Sequence, residues 1–164
     1  MEMSLRRPGR GVAGDVAGTG SHPLDPMAQL LALHALLSLT AATAAGNAVL
    51  TAWAIVAHRR RQSTLGSAFW TLLLLVLVVL AVQIATGVVA AVAGARPKTS
   101  LHFLYGVLVT AGAVVQFGLR PQGFLRAAMT RNAAPLREPR SLAIVCVTQM
   151  LLILRAYMTG AFGH

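Results

Sequence analysis

The sequence predicts an all-α integral membrane protein, an antiparallel four-helix bundle whose helices cross the bilayer up-down-up-down. Three observations predict it. Of the 164 residues 56% are apolar and only 11% charged, too few charges to coat a water-facing surface. Four long runs carry almost no Lys, Arg, Asp or Glu, and the basic residues gather in the short segments between them.

Residues 1–24 combine Gly, Ser, Pro and scattered charge without hydrophobic periodicity and read as a flexible tail. Its basic start, Arg6, Arg7 and Arg10, leads into Gly-rich polar sequence and not into the apolar segment of a secretory signal. The membrane domain is expected over 25–164. Asp25-Pro26 supplies a helix start, because Asp can cap and Pro is tolerated in a first turn.

A bilayer core of about 30 Å needs roughly 20 apolar helical residues. The first predicted helix, about 26–57, holds no Lys, Arg, Asp or Glu, and neither does the second, about 68–95. A third is expected over about 100–119. The fourth, about 141–160, is different. Only Ser141–Leu154 is uncharged, which at about 1.5 Å per residue is too short, so the helix must run on through Arg155. Arg155 therefore lies within the membrane zone or snorkels from it.

Short joins between consecutive helices imply antiparallel neighbours. Segment 58–67 holds three arginines and segment 120–140, read as a loop, holds five, against Arg96 and Lys98 in the second join. The positive-inside bias puts 58–67 and 120–140 in the cytoplasm, both termini outside, and the protein in the cell (plasma or inner) membrane. Trp53 and Trp70 flank the first join, where an aromatic belt would sit.

The net charge of +10 invites a nucleic-acid reading. The basic residues follow the joins and not a polar face with interleaved aromatics, so nucleic acid is excluded and the partners expected first are membrane lipids with anionic headgroups. The single cysteine, Cys146, permits no internal disulfide or cysteine metal cluster and reads as small apolar packing.

Chemistry within the spans centres on histidine. His34 lies in the first third of the first helix and His102 in the first turn of the third, both towards the outer face. From His34 a stripe of small or polar residues runs through Ser38, Ala41, Ala45, Ala48 and Ala52. From His102 the same walk meets Gly106, Val109, Ala113 and Gln116, and the second helix offers Gln83, Gly87, Ala90 and Gly94. Small residues mark faces where membrane helices approach closely, so both imidazoles are expected to point into the bundle. Two imidazoles facing one another across antiparallel helices can ligate haem iron from both sides, with the apolar bundle as the slot for the macrocycle. Arg155 would meet a propionate, Tyr105 and Tyr157 would donate hydrogen bonds, and Gln83 would stand behind the ligands. The plain alternative is that His102, Gln83, Gln116 and Gln149 are interhelical hydrogen-bonders and Arg155 an anchor.

Leu72–Arg120 resembles one half of the heme A synthase family. Those enzymes join two four-helix halves, each with a His on its first and third helices near the outer face. Gln83 and Gly87 match the Gln and Gly of the family's second helix, Leu101-His102 matches the start of its third, and His34 matches its first. The resemblance departs at Leu31 and Ala35, where the substrate-processing half has Glu and Arg, and 94–100 lacks the cysteine pair of many members. What it implies is the half that holds haem b without the oxidising site.

The expected function is thus a small b-type cytochrome-like protein with haem b between His34 and His102. It would pass electrons to a quinone or a redox membrane protein, or serve as a subunit of a respiratory or photosynthetic complex. One alternative is a haem-free accessory subunit of a larger membrane complex. Another is a small transporter, which the scarcity of in-span charges disfavours. No nucleophile–base pair, phosphate-cradling loop or paired carboxylates occur in the spans, so no independent catalytic activity is expected.

Overall fold

A computed structural model describes residue 29 and residues 37–132 and 137–162; the tail, the Asp25-Pro26 start and His34 lie outside the described residues. Within them the chain is helical, with α1 at Leu37–Arg59, α2 at Ser67–Val92, α3 at Leu101–Gly118, α4 at Phe124–Asn132 and α5 at Glu138–Ala161. The helices α1, α2, α3 and α5 are each long and apolar enough to cross a membrane, which makes this a multi-pass membrane protein.

The four spans form a ring. Helix α5 packs extensively on α1 and α3, α1 packs on α2, and α2 meets α3 over a shorter stretch. Hydrocarbon tails are as apolar as Leu, so this packing rests on close contact and interhelical hydrogen bonds more than on hydrophobic burial. Gly46 of α1 faces Val76 of α2 so closely that a Cβ there would collide with the valine Cγ2.

The two ends of the bundle differ. At the arginine-rich end, Leu50, Ala54, Phe69, Leu73, Leu119, Leu142 and Cys146 make a continuous apolar cluster. Phe69 stands edge-on to Trp53 and Trp70, at 6.0 and 5.4 Å between ring centres. Trp70, beside the first join, turns inward, and its indole N–H donates to the Leu65 carbonyl at 3.3 Å. At the opposite end the apolar cluster shrinks to Ala44, Leu80, Val109 and Ile153.

Helix ends follow turn chemistry. At the end of α2, Ala95 N–H donates to Ala90 O and Gly94 N–H to Ala91 O, with Gly94 at φ 91°. This is the Schellman closure, which needs a left-handed residue. It stops α2 at Val92, short of the expected residue 95. Gly94→Ala is expected to destabilise the protein by about 1 kcal/mol, because Cβ is disfavoured at that φ. Thermal unfolding in detergent checks this, with Gly66→Ala as the control, since Gly66 has negative φ and open space around it. The end of α1 closes the same way, with Arg61 at φ 58° in the left-handed position.

Segment 120–140, expected to be a loop, contains the nine-residue helix α4. The turn before it is tight: a Cβ on Gly123 would collide with the Gly118 carbonyl oxygen. Leu125 then lies over Gly118 and against the apolar cluster. Arg126 donates to both carboxylate oxygens of Glu138, at 3.3 and 3.2 Å. Glu138 is only 1% exposed, and its place in the first turn of α5 suits a negative charge. The segment folds because one leucine and one buried ion pair anchor it.

Candidate functional site

Polar side chains inside a membrane bundle must find partners, and here they bridge helices. Nearest the arginine-rich end, Gln116 of α3 donates to Asn47 Oδ1 of α1 at 2.7 Å and to Cys146 Sγ of α5 at 3.5 Å. Asn47 in turn donates to Thr43 O, at 2.9 Å. Further along, Gln149 of α5 donates to Val109 O of α3 at 3.0 Å, its carboxamide oxygen resting directly on Gly112. Gln83 of α2 donates to Thr40 Oγ1 of α1 at 2.8 Å. The buried threonines Thr43, Thr86 and Thr159 bond carbonyls of their own helices. Three glutamines thus tie four helices, and with His102, which bonds Ala156 O of α5 from α3, they make the interhelical hydrogen bonds that the plain alternative names.

Of the expected site residues, His102, Tyr105, Gly106 and Arg155 lie towards the end opposite the arginines. His102, half-buried in the first turn of α3, sets Nδ1 2.9 Å from Ala156 O of α5. A carbonyl can only accept, so Nδ1 carries a proton. The ring lies flat enough against α5 that a Cβ on Gly160 would come within 2.8 Å of it. One turn along, Arg155 Nε donates to the Tyr105 hydroxyl at 3.5 Å, with the guanidinium 5.8 Å from the Tyr105 ring centre. Lys98 Nζ donates to Ala161 O, at 2.8 Å, and so closes the end of α5. Gly106 has open space where a side chain would be, and Gly87 is half-buried.

The inward face expected on α3 is present: His102, Gly106 and Ala113 are half-buried, and Val109 and Gln116 buried. The face expected on α1 is not. Ser38, Ala41, Ala45, Ala48 and Ala52 all point outward, and the buried stripe is instead Thr40, Thr43, Ala44, Asn47, Leu50, Ala54 and Ala57. Exposing Asn47 to lipid would cost far more than exposing alanine, so the amide sets the helix's rotation. As the one amide among these α1 residues, Asn47 was the available signal. Glu138 was missed too, although it is the only carboxylate after Asp25 and stands beside five arginines.

Against a bis-histidine haem site the donor chemistry fits on the described side. His102 donates from Nδ1 to a carbonyl, a bond of the kind that orients metal-ligating imidazoles. Its expected partner, His34, lies outside the described residues. Among the described residues no three His, Cys, Asp or Glu side chains cluster as a metal-binding group.

The fold and this interior define an all-α, multi-pass membrane protein whose helices are joined by buried amides. Compared with known proteins, the chain matches no family model, no curated protein and no solved structure. The likeness to a heme A synthase half therefore rests on His34, Gln83, Gly87 and Leu101-His102 alone.

Proposed function

We propose that this is a small b-type cytochrome-like membrane protein holding one haem between its first and third helices, with His34 and His102 as axial ligands. The observation that supports this reading is that, on adjacent turns at one end of the bundle, His102 seats against Ala156 of α5 and Tyr105 against Arg155. Ionisable side chains in a membrane span are expensive and mark functional sites, and interhelical hydrogen bonding alone does not call for an arginine beside the histidine.

Haem b, when bound, supplies one-electron chemistry. The chain's own residues do the rest. The Ala156 carbonyl fixes the His102 ring and raises the donor strength of Nε2. Arg155 is exposed and has no acidic partner among the described residues, so it offers a cation to a propionate, steadied by Tyr105. Gly106 leaves open space on α3 for a flat ring, and Gln83, held to Thr40, stands on the second helix. In this reading the site faces outward across the cell membrane, segments 58–67 and 120–140 are cytoplasmic, and the electron partner is a quinone or a redox membrane protein.

The test is a reduced-minus-oxidised visible spectrum of detergent-purified protein, with haem quantified against protein. Low-spin b-type bands at near one haem per chain are expected, and alanine at His34 or His102 should abolish them. Full haem in both variants rejects the ligand assignment. A colourless protein, made with haem supplied, rejects the reading itself.

A second reading is a haem-free accessory subunit of a larger membrane complex. It is favoured by the outward small-residue stripe on α1, a surface on which a foreign helix could approach closely. Co-purification in fixed ratio with partner chains, in mild detergent and without colour, would select it.

A further inference from the structure

At the arginine-rich end a shallow open groove of about 380 Å³ runs between α1 and α5 on the outside of the bundle. Its floor and walls are apolar apart from one hydroxyl: Thr51, Ile55, Ile144 and Val147 line it, and His58 and Arg140 stand at its mouth. From His58 to Thr51 is two helical turns, so the groove extends about 10 Å along the helix axes. It therefore lies along the direction of an acyl chain, with its basic mouth at the membrane–water boundary.

We propose that this groove is a binding site for one anionic phospholipid, with an acyl chain against Ile55, Ile144 and Val147 and the phosphate at Arg140 and His58. Charge complementarity selects this occupant. Arg140 is exposed and has no ion-pair partner among the described residues, and the carboxylate nearest in sequence, Glu138, is buried and held by Arg126. Arg59, Arg60 and Arg61 follow His58 directly and raise the local positive potential. A protein helix laid in the groove would have to bring its own carboxylate to this mouth, whereas an anionic lipid carries its phosphate at the depth where Arg140 lies. The site is independent of the haem reading, since it lies at the other end of the molecule.

The experiment is native mass spectrometry of delipidated protein titrated with phosphatidylglycerol or phosphatidylcholine. The intact chain should take up a first phosphatidylglycerol more tightly than phosphatidylcholine. Arg140→Gln should weaken that step roughly fivefold, the worth of one basic residue near a membrane surface. Ile144→Trp, which fills the groove and leaves the charge untouched, should weaken it as well. Arg60→Gln removes the same charge from the exposed join and should have the smaller effect. The proposal is overturned if the intact chain shows no preference, if Arg60→Gln and Arg140→Gln weaken binding equally, or if Ile144→Trp leaves it unchanged. All three substitutions lie on exposed positions, so a helical circular dichroism spectrum like that of the intact chain is expected of each.

Discussion

Arg126→Ala is expected to destabilise the protein by about 3 kcal/mol, far more than the loss of an ordinary surface ion pair, about 0–1 kcal/mol. The difference lies in what remains. Glu138 is 1% exposed and accepts both hydrogen bonds of the pair from one guanidinium, so removing Arg126 leaves a buried carboxylate without compensation. The value sits at the lower end for a broken buried pair because Arg126 is itself 27% exposed and water can reach part of the site. Equilibrium unfolding in mixed micelles measures the loss. The double variant Arg126→Ala/Glu138→Gln should recover most of it, since the uncompensated charge is then gone. A single-variant loss below about 1 kcal/mol would show that the pair behaves as a surface contact and does not anchor α4.

The next largest effect is expected at Gly112, where even alanine should cost about 3 kcal/mol. Its Cβ would collide with the Gln149 carboxamide oxygen. Gln149 is buried, and its amide N–H₂ is engaged at Val109 O, so it cannot swing aside without breaking that bond. The expected sum combines overpacking, about 1–3 kcal/mol, with the lost interhelical hydrogen bond, about 0.6 kcal/mol on average. The two substitutions at this contact should therefore be non-additive. In a background already carrying Gln149→Ala, Gly112→Ala should be nearly neutral, because the obstruction has been removed. If the two substitutions add, the contact between α3 and α5 at this point is not the reason Gly112 is needed.

Several features were legible before any coordinates. Arg140 and Arg155 bracket too short a run to cross a bilayer, which required α5 to continue through Arg155, and it extends to Ala161. The inward face of α3 could be read from His102 to Gln116 because small and polar residues coincide there. On α1 they separate: the alanine stripe and the Thr40–Asn47 face are different sides of the helix, and counting small residues chose the wrong one. The inward turn of the Trp70 ring was likewise not legible. Tryptophan suits a membrane interface, but here its N–H finds a carbonyl at Leu65 and its ring finds Phe69, so burial is satisfied.

By itself the sequence determined the class of protein, the number of crossings and the end that carries the arginines, because bilayer thickness and charge desolvation act on composition over twenty residues and need no partner. Which side of each helix faces inward, and which groups meet, was decided only in three dimensions. Asn47 finds Gln116, Arg126 finds Glu138 and His102 finds the Ala156 carbonyl across sequence separations that no local pattern encodes. The physical reason is the same in each case. A polar group taken out of water must be satisfied by whatever donor or acceptor the packing brings to it, and that partner exists only once the helices have assembled.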